Sequence, residues 1–333
     1  MSADQGLPDL SVVLPVFNGA GSLARAIDSV CIQDVPAMEV ILLDDGSEDR
    51  SWEIIASYSD SRILSRRHTN VGLAPTLNRG IESSRGRYIA RQDQDDLVLP
   101  GRFAKQLAFL EENPDIAIVG TWAHIYAGDR PTARYHRHPC SNGALQLELL
   151  FNNSFVHSSV MIRAAVLREV GGYCEDKSLQ PPEDYELWSR IARRYPVANL
   201  PEVLTVYREV PGSMSRAIDN PFLKNVIRIS SENLHHVLAT RYESKDCTLL
   251  AELYHRRGIE GSRVHLSKAR AREMLEFAAQ KIGGKQLAWS DEFLVSYRRI
   301  RAHLDSRFLQ RKIPAALVGP ARWLRNRLLA LRE

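Results

Sequence analysis

The N-terminal part of the chain alternates apolar runs with amphipathic segments, and this alternation constrains the fold more than any other feature. Runs rich in β-branched and aliphatic residues at 9–18 and 38–43 are typical of buried strands. A helical pattern follows each run, the first behind Ser22 and the second from Ser51. Strands that are apolar along their whole length are buried on both faces. The pattern therefore predicts an α/β fold with a mainly parallel sheet flanked by helices.

Acidic clusters follow the strands of this predicted sheet. The segment 44–47 ends the second strand, a third strand is predicted at 63–67, and the segment 93–96 follows a strand at 87–90. Ligands of parallel sheets bind beyond the carboxyl ends of the strands. The residues that we expect to converge on one crevice are Phe17, Asp45, Asn70 and the acidic cluster 93–96.

The cluster Asp93, Asp95 and Asp96 predicts a bound cation. Like charges repel one another, and an ionised carboxylate is costly to bury unless a positive charge neutralises it. Hard oxygen ligands suit Mg²⁺ or Mn²⁺, which take one or two carboxylates and complete their shell with water and phosphate. The alternative is an acidic surface turn in which Asp95 or Asp96 caps the next helix.

Composition excludes several classes of protein. The chain has 333 residues, of which 44% are apolar and 25% charged, as expected for one large or two smaller globular domains. A net charge of +4 without arginine stripes argues against a nucleic-acid partner. The cysteines are scattered, as in a reduced cytoplasmic protein. Neither a signal peptide nor an apolar run of about 18 residues is visible, so we expect a cytoplasmic protein without a membrane span.

Short motifs in a fixed order carry a family resemblance. They are Val13–Asn18, Leu43–Ser47, Asn70–Gly72, Asn78–Gly80 and Asp93–Asp96, continued by Leu99–Phe103, Gln106 and Phe109–Pro114. Together they resemble the nucleotide-sugar half of family 2 glycosyltransferases, which implies the GT-A (Rossmann-like) fold. The resemblance ends near Ser215, after which helical patterns follow at 222–238, 247–257 and 266–282. We therefore divide the chain into a catalytic domain (1–215), a helical C-terminal region (216–306) and a basic amphipathic tail (307–333).

The resemblance implies roles for the N-terminal motifs. Asp45 would accept a hydrogen bond from the base, unless it only makes a turn before Gly46. Asp95 would hold the Mn²⁺ or Mg²⁺ that bridges to the diphosphate, with Asp93 reaching both the ribose and the metal. Asp96 would contact the donor sugar or cap the following segment. The nucleotide-binding residues implied are Pro15, Phe17, Asp45, Asn70, Asn78 and Asp93.

A second acidic pair, Glu183 and Asp184, opens a predicted helix. The resemblance assigns the general base to this pair, with Asp184 as the first choice and Glu183 as the second. An inverting transfer needs a carboxylate opposite the departing nucleotide to take the proton of the attacking hydroxyl. The alternative is that the pair only complements the helix dipole. His157, on a strand predicted at 154–163, would touch the donor sugar or the acceptor, or else bind neighbouring backbone groups.

One position departs from the family pattern. Many relatives carry a histidine two residues after the position of Arg208, whereas this chain has Val210. A diphosphate or metal contact made by that histidine would be missing here. Arg208 and Ser213 are the candidates to replace it.

The tail has the character of a surface-binding segment. Leu324, Leu328 and Leu331 share one helical face, and arginines lie largely away from it. Such a cationic amphipathic segment can lie on an anionic membrane. This would suit an acceptor carried on a polyprenyl diphosphate at the cytoplasmic face of the inner membrane. The alternative is a helix packed on its own protein.

The resemblance therefore implies an inverting, metal-dependent hexosyl- or N-acetylhexosaminyl-transferase. It would move a sugar from a nucleotide-sugar donor, a UDP-sugar by resemblance, to a hydroxyl of a saccharide acceptor in bacterial surface-polysaccharide synthesis. One alternative is a nucleotidyltransferase, but the segment 15–19 lacks the Gly-rich basic loop that would cradle a triphosphate. The other alternative is a catalytically silent scaffold subunit.

Overall fold

A computed structural model of the chain describes residues 7–209, 221–255, 266–284 and 289–310. The described strands form one nine-stranded sheet. They are β1 (Leu10–Val16), β2 (Met38–Asp44), β3 (Ile63–Arg67), β4 (Tyr88–Arg91), β5 (Leu97–Val98), β6 (Ile118–Ala127), β7 (Arg130–His136), β8 (Met161–Arg163) and β9 (Val197–Glu209). The prediction of an α/β fold with a mixed, mainly parallel sheet is confirmed.

Helices flank the sheet and continue beyond it. Within the catalytic part they are α1 (Leu23–Cys31), α2 (Ser51–Ala56), α3 (Leu73–Ser83), α4 (Arg102–Glu112), α5 (Asn142–Glu148), α6 (Ala164–Val170) and α7 (Glu183–Ala192), with 3-10 helices at His157–Ser159 and Lys177–Leu179. The later helices are α8 (Phe222–Leu238), α9 (Ser244–His255), α10 (Lys268–Gly283) and α11 (Asp291–Gln310). The helices predicted in the C-terminal region are thus present, with ends shifted by a few residues.

Parallel pairing brings the predicted site residues to one edge of the sheet. The strand order is β3-β2-β1-β4-β8-β6-β9-β5, with β7 paired to β6. β1 runs parallel to both β2 and β4, and β1 and β2 are buried along their whole length. These continuous apolar strands need cover on both faces, which the helices supply. The carboxyl ends of β1, β2 and β4 therefore meet at the same edge.

The second half of the sheet differs from the prediction at one strand. The strand predicted at 154–163 is only β8, preceded by the 3-10 helix His157–Ser159. Here Ser159 Oγ donates to the Val156 carbonyl, a local bond that competes with sheet pairing. The long strand β6 forms a hairpin with β7 and pairs in parallel with β9.

The C-terminal helices pack on the catalytic part. One apolar cluster joins Leu147 and Phe151, in and just after α5, to Leu250, Met274 and Ile300 of the later helices. Within the part of the chain that the structure describes, no helix is long and apolar enough to cross a membrane. Residues 307–310 complete α11, and the rest of the predicted tail lies outside the described residues, as do Val210 and Ser213.

Candidate active site

The segment 91–96, which we call the acidic turn, joins β4 to β5 and carries the aspartates. Arg91 is buried, and its Nη2 donates to Asp93 Oδ1 at 2.6 Å. Burial alone would raise the pKa of Asp93, but the charges of Arg91, His157 and Arg102, together with the Arg91 hydrogen bond, outweigh it and hold the pKa below its usual value. Burial and the Asp93 charge raise the pKa of Asp95 to about 6. Asp93 therefore already has a cation beside it, whereas Asp95 is half-buried beside a like charge.

Asp96 is the buried aspartate of the acidic turn. Its side chain is 1% exposed, and it accepts hydrogen bonds from the Ser158 hydroxyl and, at 2.8 Å, from the Arg208 amide. Burial and the neighbouring aspartates raise its pKa well above the usual range. The predicted capping by Asp95 or Asp96 is wrong, because β5 follows and α4 begins only after Gly101. Because Asp96 is buried, a role in supporting the acidic turn is favoured over direct contact with a donor sugar.

A buried polar network fixes the backbone of the acidic turn. Arg102 is fully buried on α4 and donates to Gln92 Oε1 and to the Arg91 carbonyl, each at 3.1 Å. Burial lowers its pKa to about 9. Arg102 Nε also donates to Gln106 Oε1, and Gln106 Nε2 donates to the Val119 and Ser159 carbonyls at 2.9 and 2.8 Å. Because each partner would be left unsatisfied without the others, the network holds the turn in one geometry.

The acidic turn contacts the end of β1, as the predicted convergence requires. Gln94 Oε1 accepts from the Phe17 amide at 2.8 Å, and Gln94 Nε2 donates to the Phe17 carbonyl at 3.0 Å. The Phe17 side chain is 46% exposed and so is open to a ligand. Pro15 is buried within β1. It lies beyond Val13, the last residue of β1 that pairs with β4, so its missing amide hydrogen costs no hydrogen bond between these strands. The sequence interpretation missed Gln94, although it stands between the aspartates.

Asp45 holds the loop between β3 and α3. It is 4% exposed, and its two oxygens accept from the Val71 amide at 2.7 Å and the Gly72 amide at 2.9 Å. The alternative turn role is wrong for Asp45, since it is Asp44 that accepts from the Ser47 amide, at 3.1 Å. These bonds place the exposed Asn70 at the mouth of the site, and the base contact of Asp45 stays a prediction.

Gly46 permits the close approach between the loops that follow β2 and β3. Its φ is +75°, and a Cβ atom would lie 2.7 Å from the Asn70 nitrogen. Both facts exclude a larger side chain without a shift of the backbone. The glycine of the motif 43–47 is thus explained by packing.

Asn78 and Tyr173 position His157. Asn78 Oδ1 accepts from the Tyr173 amide at 2.8 Å, and its Nδ2 donates to the Tyr173 carbonyl at 2.9 Å and to Glu175 Oε1 at 2.7 Å. These bonds direct Asn78 to the turn before α7, and its contact with a nucleotide stays a prediction. His157 Nε2 lies 2.9 Å from the Tyr173 hydroxyl, so its contact is with a side chain and not with backbone. Burial and the Arg91 charge lower the pKa of His157 to about 3, which leaves the ring neutral.

Glu183 and Asp184 occupy the first turn of α7. Asp184 Oδ1 accepts from the Tyr185 amide and Oδ2 from Asn153 Nδ2, both at 2.7 Å. Burial raises the pKa of Asp184 to about 6 and that of Glu183, with the Asp184 charge, to about 7. The Asp93 charge contributes to both shifts. The 3-10 helix links the pair to the acidic turn, because Ser158 donates to Asp96 and the His157 ring meets that of Trp188 in α7 edge to face, with centroids 5.9 Å apart. A carboxylate that titrates near neutrality is suited to accept a proton.

The acidic turn fits a cation that is bound mainly through substrate. Asp95 accepts no hydrogen bond from any side chain in the described residues, and a cation beside it would offset the repulsion from Asp93 that helps to raise its pKa. No three His, Cys, Asp or Glu side chains in the described ranges gather closely enough to hold a metal by themselves. Mg²⁺ and Mn²⁺ need only one or two carboxylates when phosphate oxygens complete the shell. The residues present therefore fit such an ion.

Arg208 contacts the acidic turn through its backbone. Its guanidinium lies 3.2 Å from Asp129, in the turn between β6 and β7, and the side chain is buried. The positive charge of Arg208 has a small lowering effect on the pKa of Asp95, which burial and the Asp93 charge raise. That Arg208 compensates for Val210, where many relatives carry a histidine, stays a prediction.

Comparisons with known proteins show the family of the chain. Residues 11–171 match the family model for glycosyl transferase family 2. The chain is 34% identical to the putative glycosyltransferase EpsE of Bacillus subtilis over 65% of this chain and 80% of EpsE. It is 29% identical to the amylovoran biosynthesis glycosyltransferase AmsE of Erwinia amylovora over 66% of this chain and 83% of AmsE.

Solved structures share the fold. The S. aureus TarS fragment 1–349 in complex with UDP-GlcNAc superposes with a TM-score of 0.61 at 17% identity, covering 90% of this chain and 92% of that chain. The mannosyltransferase PcManGT from Pyrobaculum calidifontis, in complex with GDP-Man and Mn²⁺, gives 0.51 at 18% identity, covering 92% and 87%. The family resemblance and the GT-A fold are confirmed, and the nucleotidyltransferase and scaffold alternatives lose their support. The chain belongs to the family 2 glycosyltransferases and is a glycosyltransferase.

Proposed function

We propose that the chain transfers a sugar from a nucleotide-sugar donor to a hydroxyl of a saccharide acceptor with inversion at the anomeric carbon. One observation carries the proposal. The 3-10 helix His157–Ser159 contacts the acidic turn through the Ser158 hydroxyl and Asp96, and it contacts α7 through the rings of His157 and Trp188, so the two acidic groups are neighbours. The acidic turn would serve the leaving diphosphate, and the pair on α7 would serve the attacking hydroxyl.

Asp184 would act as the general base. The acceptor oxygen attacks the anomeric carbon, its proton passes to an Asp184 oxygen, and the bond from the anomeric carbon to the diphosphate oxygen breaks. The Tyr185 amide and Asn153 orient the carboxylate. Glu183 is the second choice because its side chain is more deeply buried, at 7% exposure.

Asp95, with Asp93, would hold Mn²⁺ or Mg²⁺ at the donor diphosphate. When bound, such an ion acts as a Lewis acid that stabilises the charge developing on the leaving group. The fit of the acidic turn to a cation supports this role, as does the Mn²⁺ in the PcManGT complex. Arg91 keeps Asp93 ionised beside it.

We propose a UDP-sugar as the donor, carrying a hexose or an N-acetylhexosamine. The UDP-GlcNAc complex of TarS supports this choice, and the name of AmsE supports a place in polysaccharide synthesis. The exposed Phe17 ring beside Gln94 offers a surface for the base. Pro15, Asp45, Asn70 and Asn78 would complete or support that pocket.

Nucleotide titration tests the donor assignment. We expect calorimetry to show that UDP binds more tightly than GDP or dTDP, and that an excess of chelator weakens UDP binding at least about tenfold, equivalent to about 1.4 kcal/mol. Diphosphate oxygens complete the shell of the ion, so affinity and metal are linked. If none of these nucleotides binds with Mn²⁺ present, the proposed function is refuted.

We also propose that the acceptor is carried on a polyprenyl diphosphate and that the basic tail holds the protein at the cytoplasmic face of the inner membrane. The sequence of the tail supports this proposal. Its lysine and arginine residues beyond α11 are Arg311, Lys312, Arg322, Arg325, Arg327 and Arg332. Each basic residue near an anionic surface contributes about 1 kcal/mol to binding.

Deleting 311–333 should abolish sedimentation with phosphatidylglycerol vesicles, because it removes these charges and leaves α11 complete. Vesicles of phosphatidylcholine should bind neither protein. Replacing Arg322, Arg325, Arg327 and Arg332 by glutamine should give the same loss without shortening the chain. Undiminished binding of the truncated protein would show that the tail is not the membrane contact.

A further inference from the structure

Three aromatic side chains that have no role in the proposed chemistry contact one another near the acidic turn. Tyr207 of β9 and His136 of β7 meet edge to face, with centroids 5.1 Å apart and planes at 78°. His138 stacks on His136 with centroids 5.7 Å apart and planes at 11°. We call Tyr207, His136 and His138 the ring strip. All three side chains are half-buried and so keep part of their surface open.

One end of the ring strip adjoins the acidic turn. Leu97 of β5 pairs with Val206, and Asp96 accepts a hydrogen bond from the Arg208 amide. Tyr207 stands between Val206 and Arg208 in β9 and so lies next to the end of the acidic turn. Burial raises the pKa of Tyr207 to about 12, and the charges of the three aspartates of the turn add to this effect. The tyrosine is therefore a neighbour of the predicted donor site.

Tyr207 lies on the same face of the sheet as Thr205, which stands two residues earlier on β9, because side chains two residues apart in a strand point to the same face. The Thr205 hydroxyl lies 3.2 Å from that of Thr121 on β6, and the amide of Thr121 donates to Ser159 Oγ at 3.2 Å. The strand that carries Tyr207 is therefore linked through β6 to the 3-10 helix that carries His157.

The other end of the ring strip adjoins the segment that orients the proposed base. Asn199 Nδ2 donates to the Pro139 carbonyl at 2.8 Å and to the Ser154 carbonyl at 3.1 Å. Pro139 follows His138, and Ser154 follows Asn153, which donates to Asp184. The ring strip therefore extends from the acidic turn to a segment that is tied, through Asn199, to the neighbour of Asn153.

The chemistry of the ring strip suits an uncharged sugar. Burial lowers the pKa of His136, and it lowers that of His138 to about 4, so both rings are neutral at neutral pH. Arg299, whose charge acts on His138, is already paired with Glu148 at 2.5 Å. Neutral rings with polar edges can stack on the C–H face of a sugar and exchange hydrogen bonds with its hydroxyls, whereas a phosphate would need a free cation.

We propose that the ring strip binds the acceptor sugar, a neutral saccharide that contacts the rings of His136, His138 and Tyr207, with its attacking hydroxyl towards Asp184. This inference rests on the proposed function and adds to it the binding surface and chemical class of the acceptor.

The strand β7 provides a matched control. Tyr135 precedes His136 and lies on the opposite face, where it stacks on His124 with centroids 4.4 Å apart. Its side chain is 41% exposed. Tyr135→Ala therefore removes a ring from the same strand without touching the ring strip. His136→Gln removes a ring from the strip, His136→Phe restores one, and His138→Gln is a second ring-removing variant.

Saturation-transfer NMR tests the inference with the methyl glycosides of glucose, galactose, mannose and N-acetylglucosamine, each with full-length protein, UDP and Mn²⁺. At least one glycoside should bind the wild type and Tyr135→Ala. Its Kd should weaken about tenfold in His136→Gln and His138→Gln, the size of one ring contact, and recover in His136→Phe. Thermal unfolding identifies any variant that fails to fold, and the other ring-removing variant then decides.

Two results would overturn the inference. One is glycoside binding that is equal in the wild type and the folded ring-removing variant, and the other is no binding of any glycoside to the wild type. Nucleotide titration of the wild type separates these from failure of the proposed function. If UDP binds with Mn²⁺ but glycoside binding does not depend on the ring strip, only the proposed acceptor surface is wrong.

Discussion

Replacing Asp184 by asparagine should lower kcat for sugar transfer about 10²- to 10⁴-fold, the contribution typical of a general base. Asparagine has nearly the same shape and keeps an acceptor for the Tyr185 amide, but it cannot take the proton of the attacking hydroxyl. UDP affinity should stay nearly unchanged, since Asp184 lies on the nucleophile side of the site. Steady-state transfer assays and calorimetric titration measure the two quantities separately.

The pH profile gives this prediction a second readout. Burial raises the pKa values of Asp184 and Glu183 to about 6 and about 7, so a base in this pair is protonated and inactive below that range. The wild-type kcat should rise with pH through about 6 to 7 and then level off, with the apparent values belonging to the pair. The rise should disappear in Asp184→Asn.

Glu183→Gln separates the two carboxylates. If Asp184 is the base, this variant should retain much more activity than Asp184→Asn. Glu183, with a pKa of about 7, is largely protonated where Asp184 titrates, so glutamine resembles it there and the rise in kcat should centre near pH 6. Equal losses of UDP binding and transfer in Asp184→Asn would instead give Asp184 a structural role.

The convergence of the N-terminal motifs could be predicted because it depends on local patterns and one topological rule. Continuous apolar strands predict parallel pairing, and parallel strands end at the same edge. The bonds from Gln94 to the Phe17 backbone and from the Asp45 amide to the Val16 carbonyl, at 2.8 Å, realise that convergence. The meeting of the two loops required no knowledge of the distant chain, although the role of Gln94 in joining them was not predicted.

Roles that depend on distant partners could not be predicted. Asp96 is fixed by Ser158 and Arg208, which lie 62 and 112 residues later. Asp44 and Asp45 are adjacent and chemically alike, yet only the fold decides which makes the local turn and which reaches Val71. The buried partners Arg91, Arg102 and Asn153 acquire their roles in the same way. Sequence patterns show where acidic residues cluster, and tertiary contacts decide which remains open to a ligand.

Asp95→Ala should abolish the metal-dependent part of UDP binding and lower sugar transfer about 10²- to 10⁴-fold, which corresponds to the several kcal/mol that a Lewis acid supplies. The other aspartates of the turn are engaged, Asp93 by Arg91 and Asp96 by Ser158 and Arg208. Asp95 alone accepts no bond from a described side chain. Calorimetric titration of UDP with Mn²⁺ and with chelator should give the same Kd in this variant.

The stability of Asp95→Ala distinguishes a ligand from a structural residue. Burial and the Asp93 charge raise the pKa of Asp95 to about 6, so folding carries a cost at neutral pH, where the carboxylate must be ionised. Removing it should leave the unfolding temperature unchanged or higher while metal-dependent binding is lost. Asp115→Ala, at an exposed turn before β6, is the control that should change neither property. If UDP binding by Asp95→Ala still depends fully on the metal, the cation is bound by other residues. If metal-dependent binding is lost while stability is undiminished, Asp95 serves to bind the ligand and not to stabilise the fold.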